Sequence, residues 1–582
     1  MNRNIKTLFL LLLCAALISS CALGCAEPAY QAGTYTATAY GMGGKYPITM
    51  TFSDDEILSI DASQNQETLM LGTEAVRILS ERILENQSLD LDAVTAATVS
   101  SYAFIRGVED CVKQAGGDIE ALRAKEIKVD TYADKPHEAD VIVVGGGLAG
   151  LSAASTAVKN GASVIMLEQR GFMGGHSVLA AGTLLLGATD LLAELGHEDS
   201  VEAFEAWMNE YGKGAKDPVQ TRMVAERAQD AYDFIIGMNG AVDTTKVYIT
   251  EGTYRGIALS PNIGKAFSDM ADKMVELGVD VRYNTRAYDI IVDENGAAVG
   301  VKATDYDGNE TEYYGKNIVL ATGGYAGNRD MLLKYWGDKY KNLCYGGLVG
   351  TDAVMMLAAM NHGADSVDLD NPHLDACAEL NTGITITAAL STKGGAITVR
   401  QSTSQRIANE SAAHAEDLAE AMLEIGDPHY IIIYDDTAFE VSSAVSYKAN
   451  FYNNSGLVRK YETLEDLAAA YDLDADVLRK TIDDYNAGVR GELADPFGRT
   501  YYHKEISAPF YATKVNNGVT TTTGGLKVNE NMQVVKTDGT PFENLYAAGE
   551  VTGGFRINYI SGSSLSHSVI GGIVAAEAIA AE

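Results

Sequence analysis

Apolar and polar positions alternate along this chain with periods that change by region. An apolar run, "LFLLLLCAALIS" (Leu8 to Ser19), follows Arg3 and Lys6. Beyond it, "GTYTATAYGMGGKYPITMTFSDDEILSIDAS" alternates with the period of two that predicts β-strands, broken by Gly and Asp turns. "EAVRILSERILENQS" and "AFIRGVEDCVKQAG" then space their apolar residues as amphipathic helices do. These segments predict a small α+β unit over residues 30–125, followed by a charged, proline-containing linker at 126–138. From Ala139, "ADVIVVGGGLAGLSAASTAVKNGASVIMLEQR" reads as a buried strand, a glycine turn, a helix and a second strand ending at Glu168. That order predicts a Rossmann-like α/β domain.

The first apolar run is too short and wrongly flanked for a transmembrane helix, and predicts a signal peptide over residues 1–20. "ISSC", ending at Cys21, resembles a bacterial lipobox, and "ALGC", ending at Cys25, is a second candidate. The expectation is an extracytoplasmic lipoprotein, held to the outer face of the cell membrane only by a lipid on Cys21. A net charge of −35 excludes a nucleic-acid partner and a polybasic membrane patch. Of six cysteines, three lie in the leader, and Cys111, Cys344 and Cys377 form no CxxC, haem or zinc pattern. No metal site is expected.

The chemistry begins at Gly145, Gly147 and Gly150, a GxGxxG in its strand–helix setting, with Glu168 where an acidic residue takes ribose hydroxyls. Glycines there allow backbone to approach a pyrophosphate at a helix N-terminus. Two later strand-then-glycine segments, "NIVLATGGYAGN" (Asn317 to Asn328) and "ENLYAAGEVTGG" (Glu543 to Gly554), resemble those of FAD-dependent reductases. They add Thr322, Gly323, Gly324, Gly549 and Glu550 to the expected cofactor site, as do Gly174 and Gly175, and Ser564 and Leu565 of "SSLSHSVIGGIVAAEAIAA". No second dinucleotide fingerprint appears, so NAD(P)H has no evident site. One stretch, "LDAVTAATVSS" (Leu91 to Ser101), crowds hydroxyls before an apolar run and, taken alone, reads as helix capping.

From about Ala139 to its end the chain resembles the fumarate reductase and flavocytochrome c family, which includes urocanate reductase and 3-ketosteroid dehydrogenases. Residues 30–125 resemble the FMN-binding domain, which carries FMN on a Thr in a pattern like D-x-x-[ST]-G-A-[ST]. "DAVTAAT" matches with Ala96 in place of Gly, so the resemblance implies covalent FMN on Thr98, installed by a flavin transferase, rather than capping. It also implies FAD-binding segments at 139–360 and 511–582 around a capping domain at 361–510. The two modules imply a circuit from a quinone- or flavin-linked membrane donor to FMN, then FAD, then a small unsaturated substrate.

The family's dicarboxylate-binding residues are mostly replaced. Thr520 and Thr521 stand where histidines are expected and Tyr559 stands for an Arg. Lys393 in "STKGGAITV" is the nearest basic residue to the usual proton donor, and His373 in "NPHLD" matches a family histidine. "YISGSSL" resembles the ketosteroid-binding stretch, which implies that Tyr559 and Gly562 polarise a ketone oxygen and that Lys393 or a tyrosine protonates carbon. The favoured expectation is therefore an ene-reductase of a 3-oxo-Δ4 steroid. One alternative is reduction of an unsaturated carboxylate (cinnamate, urocanate or fumarate type) anchored by Arg556, a residue otherwise expected as an exposed loop charge. A second is a non-catalytic flavin electron-transfer lipoprotein.

Overall fold

Tyr46, Ile48, Met50 and Phe52 occupy every second position of one strand, and all four are buried. In the computed structural model this strand, β2 (Gly44–Phe52), is the centre of an antiparallel meander with β1 (Gly33–Gly41) and β3 (Ile57–Asp61). The structure describes residues 28–212, 218–250, 254–260, 263–386, 395–411, 415–445, 448–500 and 504–582. Cys21, Cys25 and Lys393 lie outside the described residues. Two compact units are present, one of residues 28–67, 75–93 and 97–128, the other of the remaining described residues.

Helix α1 (Gly72–Asn86), which belongs to the first unit from Ala75 onward, precedes helix α2 (Thr98–Gln114), whose buried face covers the meander. Gly107 makes that approach possible, because a Cβ there would stand 2.7 Å from Ile48 Cδ1. The hydroxyl cluster before α2 does not cap it. The N-cap residue is Ala97, the Ser101 hydroxyl donates back to the Ala97 carbonyl at 2.9 Å, and the Ser100 hydroxyl donates to Glu67 at 2.7 Å. Ala96 has φ +71°, the left-handed conformation that glycine adopts without a Cβ penalty. The glycine of the family pattern is thus explained by backbone shape, which this chain keeps with an alanine.

The second unit is built on an eight-stranded sheet. Its centre is β4 (Glu138–Val144), parallel to β5 (Val164–Leu167) on one side and to β6 (Glu310–Leu320) on the other. Val141 to Val144 are all buried, as expected for a parallel strand covered on both faces. Helix α3 (Leu148–Lys159) connects β4 to β5. Near the C-terminus, β8 (Pro541–Ala547) pairs in parallel with β6, with Leu320 opposite Ala547, so the two strand-then-glycine segments lie side by side. A separate six-stranded sheet contains Cys344–Tyr345, Asp375–Glu379, Ile397–Arg400, Tyr430–Asp435, Arg459–Tyr461 and β7 (Phe510–Val519). β7 runs through residue 511, where the return to the FAD-binding segment is expected, and pairs within this second sheet.

Two other features bear on the sequence reading. The end of the expected linker is pinned, since Arg282 donates to the Pro136 carbonyl at 3.2 Å and Tyr283 N–H donates to the Tyr132 hydroxyl at 3.0 Å. The final helix, α4 (Ser563–Ala581), is among the described residues the one helix long and apolar enough to cross a membrane. It is largely buried, and it packs along α3.

Candidate active site

A cavity of about 890 Å³ runs through the second unit from the β4–α3 turn to the start of α4. At one end, Gly145 (φ +108°) makes the turn, and a Cβ there would stand 2.3 Å from the Ala321 carbonyl oxygen. Gly150 lets α3 seat on that turn, since its Cβ would meet the Gly145 oxygen at 1.9 Å. Gly147, where a Cβ would make only ordinary contacts with Ser177 Oγ at 3.8 Å and the Gly174 oxygen at 3.9 Å, lines the cavity at the N-terminus of α3. Glu168, at the end of β5, is buried and accepts hydrogen bonds from Gly146 N–H at 2.8 Å and Arg170 N–H at 3.0 Å. The Thr322 hydroxyl, also lining the cavity, is buried without a protein partner. A glycine turn lining the cavity, a helix N-terminus and an orphan hydroxyl fit a dinucleotide such as FAD.

Of the expected cofactor residues, Gly145, Gly147, Glu168, Gly175, Thr322, Gly323, Gly549, Glu550, Ser564 and Leu565 line this cavity. Gly150, Gly174 and Gly324 do not. Gly174 closes the glycine turn from behind, donating to the Gly146 carbonyl at 2.9 Å, and Gly324 makes room for Thr522 and Glu550. Glu550 is committed to His176 Nδ1 at 3.1 Å and to Thr522 N–H at 2.9 Å. Thr98 is an exposed residue at the first turn of α2, in the other unit.

The other end of the cavity gathers Arg556, Tyr559, Gly562, His373, Asp375 and Glu416. Arg556 is not the exposed loop charge expected from sequence; only 6% of it reaches solvent. Its Nη1 and Nη2 donate to the Ser563 and Ser564 hydroxyls at 2.7 and 2.9 Å, and its Nε is buried with no partner. Among the described residues no carboxylate forms an ion pair with it. Burial pushes the guanidinium below its usual range, against the pull of Tyr559, Glu416 and Glu550. Its planar group lies over the Tyr559 ring, 5.0 Å from the centroid.

Tyr559 also stacks on His373, centroid to centroid 5.3 Å, and its N–H donates to Glu416 at 3.1 Å. Burial raises the Tyr559 phenol, while Arg556 and the N–H of Gly562 act to lower it. Glu416 accepts from His373 Nδ1 at 3.3 Å. Burial alone would raise the Glu416 carboxyl, but the bond to His373 and its charge outweigh that and hold it below the ordinary carboxylate range.

Sequence reasoning missed Glu416, Asp375 and His567. Glu416 looked like one of the acidic residues common in a first helical turn, here Glu416 and Asp417. Asp375 stands two positions after His373, close enough to have been considered with it. His567 interrupts the apolar run of α4, and a lone histidine there was the available signal. It is fully enclosed, bonded through Nε2 to Gln220 Oε1 at 2.6 Å and stacked on Phe555 at 4.5 Å. Burial, with the nearby Arg556 charge, pushes its imidazole down to about 3.

Comparison with known proteins finds matches over both flavin-domain regions. Residues 140–565 match the FAD binding domain family, and residues 41–113 match the FMN-binding domain. The chain is 29% identical to a urocanate reductase of Eggerthella lenta, over 92% of this chain and 89% of that protein. It is 30% identical to an NADH:acrylate oxidoreductase of Vibrio harveyi over 94% of its own length, and spans 61% of that longer protein. Among solved structures, the open conformation of a flavocytochrome c3 fumarate reductase superposes with a TM-score of 0.69 at 26% identity, covering 78% of this chain and 80% of that one. The chain therefore belongs to the FAD binding domain family, as a two-domain FAD/FMN oxidoreductase related to the fumarate and urocanate reductases.

Proposed function

We propose that the protein reduces the C=C bond of an α,β-unsaturated monocarboxylate. The observation that carries this reading is Arg556, a buried cation in the cavity whose bonded partners are two neutral hydroxyls. A buried charge without a counterion is costly, and a substrate carboxylate would supply one through charge-assisted hydrogen bonds. The urocanate and acrylate enzymes among the relatives support the same class. This reading replaces the 3-oxo-Δ4 steroid expected from the "YISGSSL" stretch: with Arg556 over its ring, Tyr559 sits beside a cation suited to a carboxylate rather than forming a neutral oxyanion pair with Gly562.

In this mechanism bound FAD supplies the hydride that reaches the β-carbon. Arg556 orients the substrate carboxylate and stabilises the negative charge that spreads onto it as the α-carbon becomes electron-rich. His373, with Nδ1 held by Glu416, leaves Nε2 as the donor of the proton to the α-carbon. The stacked His373–Tyr559 pair offers a flat face to a conjugated substrate. Gly145, Gly147, Glu168 and Thr322 would hold the FAD. FMN on Thr98 would relay electrons from a quinone- or flavin-linked membrane donor, in a protein exported and lipidated at Cys21 and matured by a flavin transferase.

The test is turnover by the flavin-loaded protein with a reduced viologen, offered cinnamate, urocanate, acrylate, fumarate and a 3-oxo-Δ4 steroid. Reduction of monocarboxylates supports the reading. Reduction of the steroid alone returns the ketone mechanism, and no turnover of any of them favours a pure electron-transfer role.

A further inference from the structure

The cavity holds a second orphan opposite in charge to Arg556. Asp375, at the start of the strand Asp375–Glu379, lines the same end of the cavity, and its Oδ2 is buried without a hydrogen-bond partner. Both groups act on Tyr559, since Arg556 and Asp375 are each among the charges that bear on its phenol. Glu416 lies in the same cluster, but its Oε1 is engaged by His373 and by Tyr559 N–H. The site thus presents one cation lacking a counterion and one carboxylate oxygen lacking a donor, around the stacked His373–Tyr559 pair.

We infer that Asp375 sets substrate specificity, and that the substrate is a planar unsaturated monocarboxylate carrying an N–H or O–H donor at the end remote from its carboxylate. This rests on the monocarboxylate reading above and adds the second recognition point. When the carboxylate occupies Arg556, the remote donor meets Asp375 Oδ2, and both orphans are satisfied by one ligand. A site built to accept a hydrogen bond discriminates strongly against an analogue that lacks the donor, because its buried oxygen is then left unpaired. A second carboxylate at that end would face Asp375 and Glu416, so a dicarboxylate is disfavoured by like charge.

The experiment compares cinnamate, which has no remote donor, with urocanate and 4-hydroxycinnamate, which have one. Dissociation constants come from the change in flavin absorbance of the oxidised holoenzyme, and kcat/KM from reduced viologen. The wild-type protein is expected to favour at least one donor-bearing acid over cinnamate by roughly tenfold or more in both measures. Asp375→Ala is expected to shrink that preference to within about threefold, and Asp375→Asn, which keeps an accepting oxygen, to restore part of it. An unchanged flavin spectrum and melting temperature show that each variant is folded. Equal binding of all three acids by the wild type, or a preference that survives Asp375→Ala, overturns the role of Asp375 while leaving the carboxylate reading intact. If Arg556→Ala leaves the binding of every acid unaltered, the carboxylate reading falls and this inference falls with it.

Discussion

The guanidinium carbon of Arg556 lies 5.0 Å from the centroid of the Tyr559 ring. The resemblance leads one to expect an Arg at position 559; the buried cation in this cavity is Arg556, three positions earlier. A planar guanidinium stacks well on an aromatic face and still keeps its edge donors for a ligand.

Replacing Arg556 by Ala should therefore lower kcat/KM for an unsaturated monocarboxylate by about a hundredfold, equivalent to roughly 3 kcal/mol for a lost charge-assisted contact. Tyr559→Phe keeps the stacked ring and should cost about tenfold or less. Steady-state kinetics with both variants checks this. A severe Tyr559→Phe defect beside a mild Arg556→Ala one would point back to a ketone.

Thr98→Ala should abolish flavin that survives denaturation while leaving releasable FAD. The measurement is flavin fluorescence of the denatured chain on a gel, beside FAD quantified in the supernatant, after production with a flavin transferase. Ala96→Gly should keep the modification and raise stability by about 0.5–1 kcal/mol, because the φ of +71° is free of a Cβ penalty in glycine.

His567 predicts a specific acid sensitivity. An unfolded chain titrates this imidazole near its ordinary 6.5, the folded protein near 3, so between those values the unfolded chain binds more protons. Stability is complete above the higher value and is lost as pH falls toward the lower one. One unit below the unfolded pKa, at about pH 5.5, the loss is roughly 1.4 kcal/mol. His567→Gln, which keeps an amide donor for Gln220, should remove this contribution, as read from urea unfolding midpoints at about pH 5.5 and pH 7.5.

With no second dinucleotide fingerprint in its sequence, the isolated protein should oxidise reduced viologen far faster than NADH. Fumarate should be reduced more slowly than a monocarboxylate, because one buried Arg faces a neighbourhood that also contains Asp375 and Glu416. Stopped-flow reoxidation of the reduced flavins by each acid gives the comparison directly.

The cofactor end of this protein was legible in its sequence because the demands there are local. Gly145 must bend and Gly150 must let α3 close, and spacing along one strand–turn–helix records both. The alternation through Tyr46 to Phe52 was legible for the same reason. The substrate end was not. Whether Arg556 faces water depends on Ser563, Ser564 and the cavity wall around it, and no periodicity in "GGFRINY" reveals that enclosure. Asp375 and Glu416 come from separate segments, and their meeting with His373 and Tyr559 is a product of tertiary packing. Composition alone leaves the hydroxyl-rich stretch before α2 ambiguous; in the fold Ser100 bonds to Glu67 and Ser101 to the Ala97 carbonyl, and no side chain caps the helix.

The pairing of Leu320 with Ala547 also sets an order of events. A ribosome completes β6 long before it makes β8 and then α4, which lies along α3. An unfinished chain holds the glycine turn but lacks one wall of the groove beside it, with the apolar strands of the sheet partly uncovered. Nascent or truncated forms ending before residue 541 should therefore bind FAD poorly and aggregate, and flavin capture should wait for β8 and α4.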